Sequence, residues 1–556
     1  MSNAVKAVAA AILSAAYGAQ AAYVATIEAP NRVGDVVALT NAMAEANALT
    51  DSARANARIW LKPGVYNLSG VYMADGSHLQ FKASQHGMIA GLGEKPDDTI
   101  LIGGGEAEGR RVLALSGGGN YGWMTVSNLT VTGGWTAGNG GGIEGNGTSR
   151  YSHLIVSNNY AAGSNGAGGG GCMRGRAEYC LFADNSVGTG NRGGAAMWTD
   201  GGGGQQANFV QGAWHCTFSS NVLPNVGGAL RLVGKCIGCT FIGNKANHGG
   251  AIDVPTITFT WCSNIYTNTT EIRDCRFVGN TLSAWGYGSA IYNTNSKNVS
   301  VSNCTFTAND TPGIDGSGVV YKCDLTDCII TNNVRPQQIL YDCNLTRCLV
   351  ANNTTIGNSA HNDSSSTDGA YTNVNCIFLN NLQQSYGHVT SRKVIVNCSY
   401  IGNISNNGGN YGGICTRCQM WNTLLFDNWT DGSKQSMYAR DIRAHDTNGD
   451  LPLVMTNCLF GTCDSYVTLD GDGYVTNDGV ANTRKVADMK FTDAANGDYT
   501  PKYRSPAYNA GCRESWLLEL AGLKDLAGNP RVFGDCIDIG AYECQNHPLG
   551  AVFTIR

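Results

Sequence analysis

The chain has 556 residues, of which 14% are charged, with 74 glycines, 21 cysteines and a formal net charge of −5. Charged residues make up about 25% of a typical soluble domain, so this composition sets the chain apart from an ordinary globular one. The mildly acidic balance leaves no electrostatic footprint for nucleic acid, and no basic amphipathic stretch suggests a membrane-surface helix.

In chain order, residues 1–21 read as a secretory signal peptide. Lys6 precedes an apolar stretch, and Ala19-Gln20-Ala21 forms a small-residue cleavage site before Ala22. No later run reaches the roughly 18 apolar residues of a spanning helix, so the mature chain is expected without a transmembrane segment. Residues 22–127 read as an N-terminal cap and first coils. Gly34 to Met43 has the pattern of a short amphipathic helix, Ile59 to Tyr66 that of a strand and turn, and Thr99 to Gly103 that of an early coil.

Residues 128–465 are dominated by Cys-x-Phe-x-x-Asn. Its clear copies start at Cys180, Cys216, Cys239, Cys275 and Cys304, and degenerate ones at Cys328, Cys348, Cys376 and Cys398. A Cys-less copy is read at His153 to Asn158. The closing asparagines, from Asn158 through Asn185, Asn221 and Asn244 to Asn428, recur on average about every 27 residues. Tyr321-Lys322-Cys323 and Tyr341-Asp342-Cys343 open the tightest pair of repeats. A fixed signature at so short a period predicts a solenoid, each repeat forming one coil. Val, Ile, Thr, Phe and Asn with interspersed Gly favour strands and turns. The prediction is therefore an all-β, right-handed parallel β-helix, with a short N-terminal helical cap and a C-terminal capping segment over 466–556. Cys and Phe, two apart, share one side of a strand and are placed inward. Asn closes each turn, where it tolerates left-handed backbone.

A second signature is Gly-Gly-Ala at Gly193, Gly227 and Gly249, with Gly288-Ser289-Ala290 as a variant. With Phe-x-x-Asn, it resembles the passenger repeats of the polymorphic outer-membrane proteins over about residues 139–310. The helix followed by strand-Pro-Gly-x-Tyr resembles the N-terminal cap of pectin-lyase-like β-helices. Arg504 to Gly511, Asp525 to Arg531 and Asp538 to Glu543 resemble the ending of bacterial surface β-helix proteins with varied C-terminal anchors. These resemblances imply an exported bacterial protein. Leu549 to Arg556 contain no recognisable sorting signal.

The cysteines are expected to form a mostly reduced, buried ladder, since free Cys packs as a small hydrophobe. The close pairs Cys236/Cys239 and Cys415/Cys418 have zinc-like spacing, but the repeat accounts for the second Cys of each, and no metal site is assigned. Asp470, Asp472 and Asp478 resemble part of a calcium loop without its first ligand or closing Glu. A turn is expected there and no cofactor, with calcium as the alternative.

Polygalacturonases carry paired aspartates and Gly-His-Gly. Asp97-Asp98 and Gln85-His86-Gly87 are poor counterparts, and no pectate-lyase calcium cluster appears. Alternation after each Gly-Gly-Ala places Leu230, Ile252 and Ile291 inward, with Met197, Arg231, Asp253 and Tyr292 outward in one column. Arg192, Val226, His248 and Tyr287 hold the position before Gly-Gly. The candidate catalytic set is Arg231, His248, Asp253 and Tyr292. Arg192, Trp198, Trp285 and Tyr287 are candidate substrate-binding residues, since exposed rings suit sugar faces. The bland alternative is a solvated face with an Arg231–Asp253 ion pair and aromatic ladders. Trp214 and Trp261 are equally compatible with loop packing. The leading expectation is a secreted or cell-surface, adhesin-like protein that binds a polysaccharide or surface glycan. The alternative is a polysaccharide lyase or glycoside hydrolase acting on an acidic polysaccharide.

Overall fold

The computed structural model describes residues 23–546 except 30–35, 50–55, 74, 76, 83–85, 117–123, 163–167, 190–192, 200–209, 257, 262–263, 268, 284–285, 295–298, 312–317, 335–336, 357–358, 363–370, 385–387, 407–413, 431–440, 443–453, 464–466 and 535. Residues 1–21, expected as a signal peptide, and Arg192, Trp285 and Leu549 to Arg556 lie outside the described residues. The fold is an all-β parallel β-helix, with the expected helix near the N-terminus. It divides into two compact units, residues 1–223 with 230–235, and residues 224–229 with 236–556.

In the first unit, helix Val37–Ala48 buries Leu39, Ala42, Met43 and Ala46. Asn47 closes the open edge of strand Ser77–Lys82. Its amide donates to the Gln80 carbonyl at 2.8 Å and accepts from the Lys82 N–H at 2.7 Å, in the manner of a strand neighbour. Val24–Ile27, Arg58–Leu61, Met88–Gly91, Thr125–Thr132 and Arg150–Ser157 then stack as parallel rungs. A second sheet runs from Ser77–Lys82 through Arg111–Ser116, Ile143–Glu144, Cys172–Met173 and Met197–Trp198 to Leu230–Arg231.

The inward assignment of the repeat holds. Cys180, Cys216, Cys239, Cys275 and Cys304 are at most 3% exposed, and their Phe partners are fully buried. Phe182 and Phe218 stack at 5.0 Å in the first unit. Phe241, Phe277 and Phe306 stack at 5.0 and 4.7 Å in the second. All twenty described cysteines are free thiols, sixteen of them buried.

The Cys-less copy shifts by one residue. Val156 pairs with Phe182, so Leu154, Val156 and Asn159 occupy the places of Cys, Phe and Asn. His153 sits instead in the left-handed bend (φ 53°), as does Tyr179 (φ 54°) one coil later. The residue before the repeat's Cys takes this conformation throughout, including Asp274, Asn303, Asp327, Arg347, Asn375 and Asn397, as does Asn422 before Thr423, which stands in the Cys place.

The closing asparagines form a directional ladder. In the second unit each Nδ2 donates to the next Oδ1 at 2.9–3.1 Å, from Asn244 through Asn280, Asn309, Asn333, Asn353, Asn381 and Asn403 to Asn428. Asn159, Asn185 and Asn221 repeat the arrangement in the first unit. Asn428 donates to Asp441 Oδ1 at 2.7 Å, and Asp441 Oδ2 accepts from the Gly461 and Thr462 N–H groups. An amide would present a donor to those donors, so a carboxylate ends the ladder.

The C-terminal segment covers one side of the last coils. Val486, Met489, Ala507, Ile539 and Ala541 form an apolar cluster with the outward residues Ile377, Ile401, Leu424 and Leu459. Asn375 Nδ2 donates to the carbonyls of Ala521 and Lys524, and Asn422 exchanges two hydrogen bonds with the Cys512 backbone. Within the segment, Arg531 is fully buried and donates to the carbonyls of Asp538 and Gly540. Asp525, Asp538 and Glu543 each accept backbone N–H bonds beside it. Burial pushes the Glu543 carboxyl up to about 8, with Arg531 opposing the shift and Asp538 reinforcing it.

Candidate functional site

The outward face of the second sheet carries most of the candidate residues, and the two units divide them. In the first unit the register runs Gln80, Ala114, Glu144, Met173, Trp198 and Arg231. Met197 is buried and pairs with Leu230, so Trp198, not Met197, occupies the outward column. One more residue separates Gly193-Gly194 from the outward position than separates Gly227-Gly228 from Arg231. The Arg231 guanidinium lies 5.9 Å from the Trp198 ring centroid. Arg111 pairs with Glu144 two rungs earlier.

In the second unit, Asp253, Tyr292, Tyr321 and Tyr341 occupy consecutive rungs. Strands Ile252–Val254 and Ile291–Asn293 turn Ile252 and Ile291 inward, which sends Asp253 and Tyr292 outward. Tyr292 and Tyr321 approach to 5.3 Å, and Tyr321 and Tyr341 to 5.0 Å. His248 packs against Tyr292 at 4.8 Å and Tyr287 at 5.4 Å. Tyr287 also meets Tyr321 at 4.8 Å. The structure thus brings His248, Asp253, Tyr287 and Tyr292 together. Arg231 and Trp198 belong to the other unit.

Electrostatics define what this face can do. The Tyr287 N–H donates to His248 Nδ1 at 3.2 Å, so neutral His248 carries its proton on Nε2. Burial lowers the His248 pKa, which favours that neutral form. Burial raises the Tyr292 pKa, and the charges of Asp253 and Tyr287 raise it further. Tyr321 is raised by burial and by its tyrosine and aspartate neighbours. The phenols therefore hold their protons. The face offers O–H and N–H donors and aromatic carbon, with a nearly buried carboxylate at Asp253.

Tyr321 and Tyr341 extend the face and were not singled out as site residues. Their signal lay in the tightest repeats, where each Tyr precedes an inward Cys by two positions, with a left-handed residue between them, Lys322 or Asp342. The Lys322 ammonium stands 5.1 Å from the Tyr321 centroid. Trp214 lies on another face, beneath the Arg176 guanidinium at 4.0 Å. Trp261 is in the hairpin strand Thr258–Trp261, and its side chain lies outside the description. Asp470 Oδ1 accepts from the N–H groups of Asp472 and Tyr474, which makes the segment a hydrogen-bonded turn. Among the described residues, no group of three His, Cys, Asp or Glu side chains is arranged to hold a metal ion. Among them also, no helix is long and apolar enough to cross a membrane.

No protein-family model matches the chain, and no curated protein matches its sequence.

Proposed function

We propose that the chain is an exported surface protein that binds a glycan along the aromatic face of its second unit. The observation that carries this reading is the ladder of Tyr292, Tyr321 and Tyr341 in register, flanked by His248 and Tyr287. Rungs about 4.8 Å apart are close to the dimensions of a sugar ring, so consecutive sugars would meet consecutive phenols. Protonated phenols supply hydrogen-bond donors to sugar hydroxyls, and the rings supply apolar contact. Export rests on the leader-like residues 1–21, and the surface role on the sequence resemblances given above.

The raised tyrosine pKa values keep these phenols as hydrogen-bond donors, which is what a binding face for sugar hydroxyls needs. The test is a glycan array followed by calorimetry on the strongest ligand. Tyr321→Ala should weaken binding by about 0.5–1.5 kcal/mol, the scale of a lost aromatic contact, while leaving the fold intact. Unchanged affinity would place the site elsewhere. Appearance of the ultraviolet absorbance of an unsaturated product on a uronate polymer would instead make the chain a lyase.

A further inference from the structure

The first unit carries a second face of different chemistry. Along the rungs Arg58–Leu61, Met88–Gly91, Thr125–Thr132, Arg150–Ser157, Arg176–Glu178 and Gly212–Trp214, one outward column reads Arg58, Met88, Thr125, Arg150, Arg176 and Gly212. The column beside it reads Trp60, Ala90, Ser127, Ser152, Glu178 and Trp214. Ile59, Ala177 and Ala213 between the columns are fully buried, and Tyr151 nearly so, which turns both columns away from the interior; on the Met88–Gly91 rung, however, Met88 and Ala90 are covered as well.

Three arginines thus share one column, and Arg150 and Arg176 are on directly paired rungs. Neighbouring rungs are about 4.8 Å apart, and like charges so placed oppose each other. Arg58 reaches toward the next rung and donates to the His86 carbonyl. The charges of Arg58 and Arg150 both act on the His86 ring and, after burial, lower its pKa. Arg176 is oriented twice over, by its ion pair with Glu178 and by stacking on Trp214. An oriented guanidinium above an indole is prepared for planar, bidentate contact with an oxyanion.

We infer that the paired Arg150 and Arg176, with Trp214 beside them, form a binding face for an anionic polysaccharide, one that presents carboxylate or sulfate groups at intervals along its length. Trp214 provides apolar surface for the sugar ring next to the anionic group. The face is separate from the tyrosine ladder and does not depend on it.

The experiment measures binding of the full chain to polygalacturonate, dextran sulfate and neutral dextran, at low and at raised salt. Wild type should retain one or both polyanions at low salt, release them at raised salt, and ignore dextran. The carboxylate and sulfate polymers separate the two anion chemistries. Arg150→Gln with Arg176→Gln should weaken polyanion binding by about tenfold or more, as loss of charge-assisted bonds predicts. Arg276→Gln, an exposed arginine of the second unit, should change it little, and Tyr321→Ala should leave it intact. If the double glutamine variant melts early, Arg150→Lys with Arg176→Lys keeps the charge but loses the planar fork, and should weaken polyanion binding severalfold while leaving its salt dependence in place. Absence of polyanion binding at low salt, an equal loss in Arg276→Gln, undiminished binding in the double variant, or retention of duplex DNA as strong as that of polygalacturonate would each overturn the inference.

Discussion

Two stretches of the second unit share one interior and differ on the outside. In both, Cys and Phe or their substitutes point inward and Asn closes the coil. The outward residue between Cys and Phe is Arg276, Thr305 and Ile329 in the earlier stretch, where it is exposed or half-buried. In the later stretch it is Ile377, Ser399, Leu424 and Leu459, all buried. The C-terminal segment lies against the later coils and leaves the earlier ones open. The same division marks the left-handed bends. Asn375, Asn397 and Asn422 are buried, whereas Asp327 and Arg347 pair with each other near solvent. The motif thus records what lies inside the coil, and the variable positions record what lies over it.

Three expectations test this division, beginning with the largest effect. Phe306→Ala and Phe378→Ala should cost about the same, roughly 3–5 kcal/mol each, because the interior is alike in both stretches. Chemical denaturation would measure this, and damage should stay near the altered coil, since solenoid coupling is between neighbours. Leu424→Ala should cost about 2–5 kcal/mol, whereas Thr305→Ala should stay within about 0.5 kcal/mol. Equal costs at the two positions would mean that the C-terminal segment does not hold the later coils. Asp441→Asn should cost about 1–3 kcal/mol, the penalty for turning an amide donor toward the Gly461 and Thr462 N–H groups. Hydrogen exchange at those two amides would report it locally.

Acidity should affect the covered stretch selectively. The folded pKa of Glu543, about 8, stands above its ordinary value of 4.5. Its protonation therefore contributes stability that is fully present below about pH 4.5 and is lost as pH rises through about 8. The C-terminal segment should become easier to cleave by protease between those limits. Glu543→Gln should flatten the dependence, and an unchanged profile in that variant would remove Glu543 from the account.

Much of this was readable from the sequence, because strand geometry repeats every two residues and the motif repeats with the coil. Cys and Phe landed inward as expected; the closing Asn is buried too, but the left-handed backbone expected of it falls on the residue before, such as Asp184, Ser220, Ala308 and Asp427. What escaped was phase. One residue displaced the copy at His153, and one displaced Met197 from the outward column to the interior. In a pattern of period two, a single residue reverses the face. The tyrosine ladder escaped for another reason. Tyr321 and Tyr341 were visible as repeats, but their side was fixed only by the left-handed residues that follow them. The C-terminal cover had a faint signal in Ile377, Leu424 and Leu459, apolar where Arg276 and Thr305 stand, and the exposed Ile329 blurred it.

The asparagine ladder makes the coil a unit that can be counted out. Each amide receives from the coil before and gives to the coil after, so every interior coil inherits the same boundary condition that it passes on. Asn333 and Asn353 stand 20 residues apart, and the neighbouring step, Asn353 to Asn381, is 28 residues, yet the bond between the amides is 2.9 Å in both. Loop length is thus uncoupled from the ladder. A whole coil could be duplicated or excised in register without creating a new unmet amide. Only the terminus needs its own solution, and in the second unit that solution is Asp441.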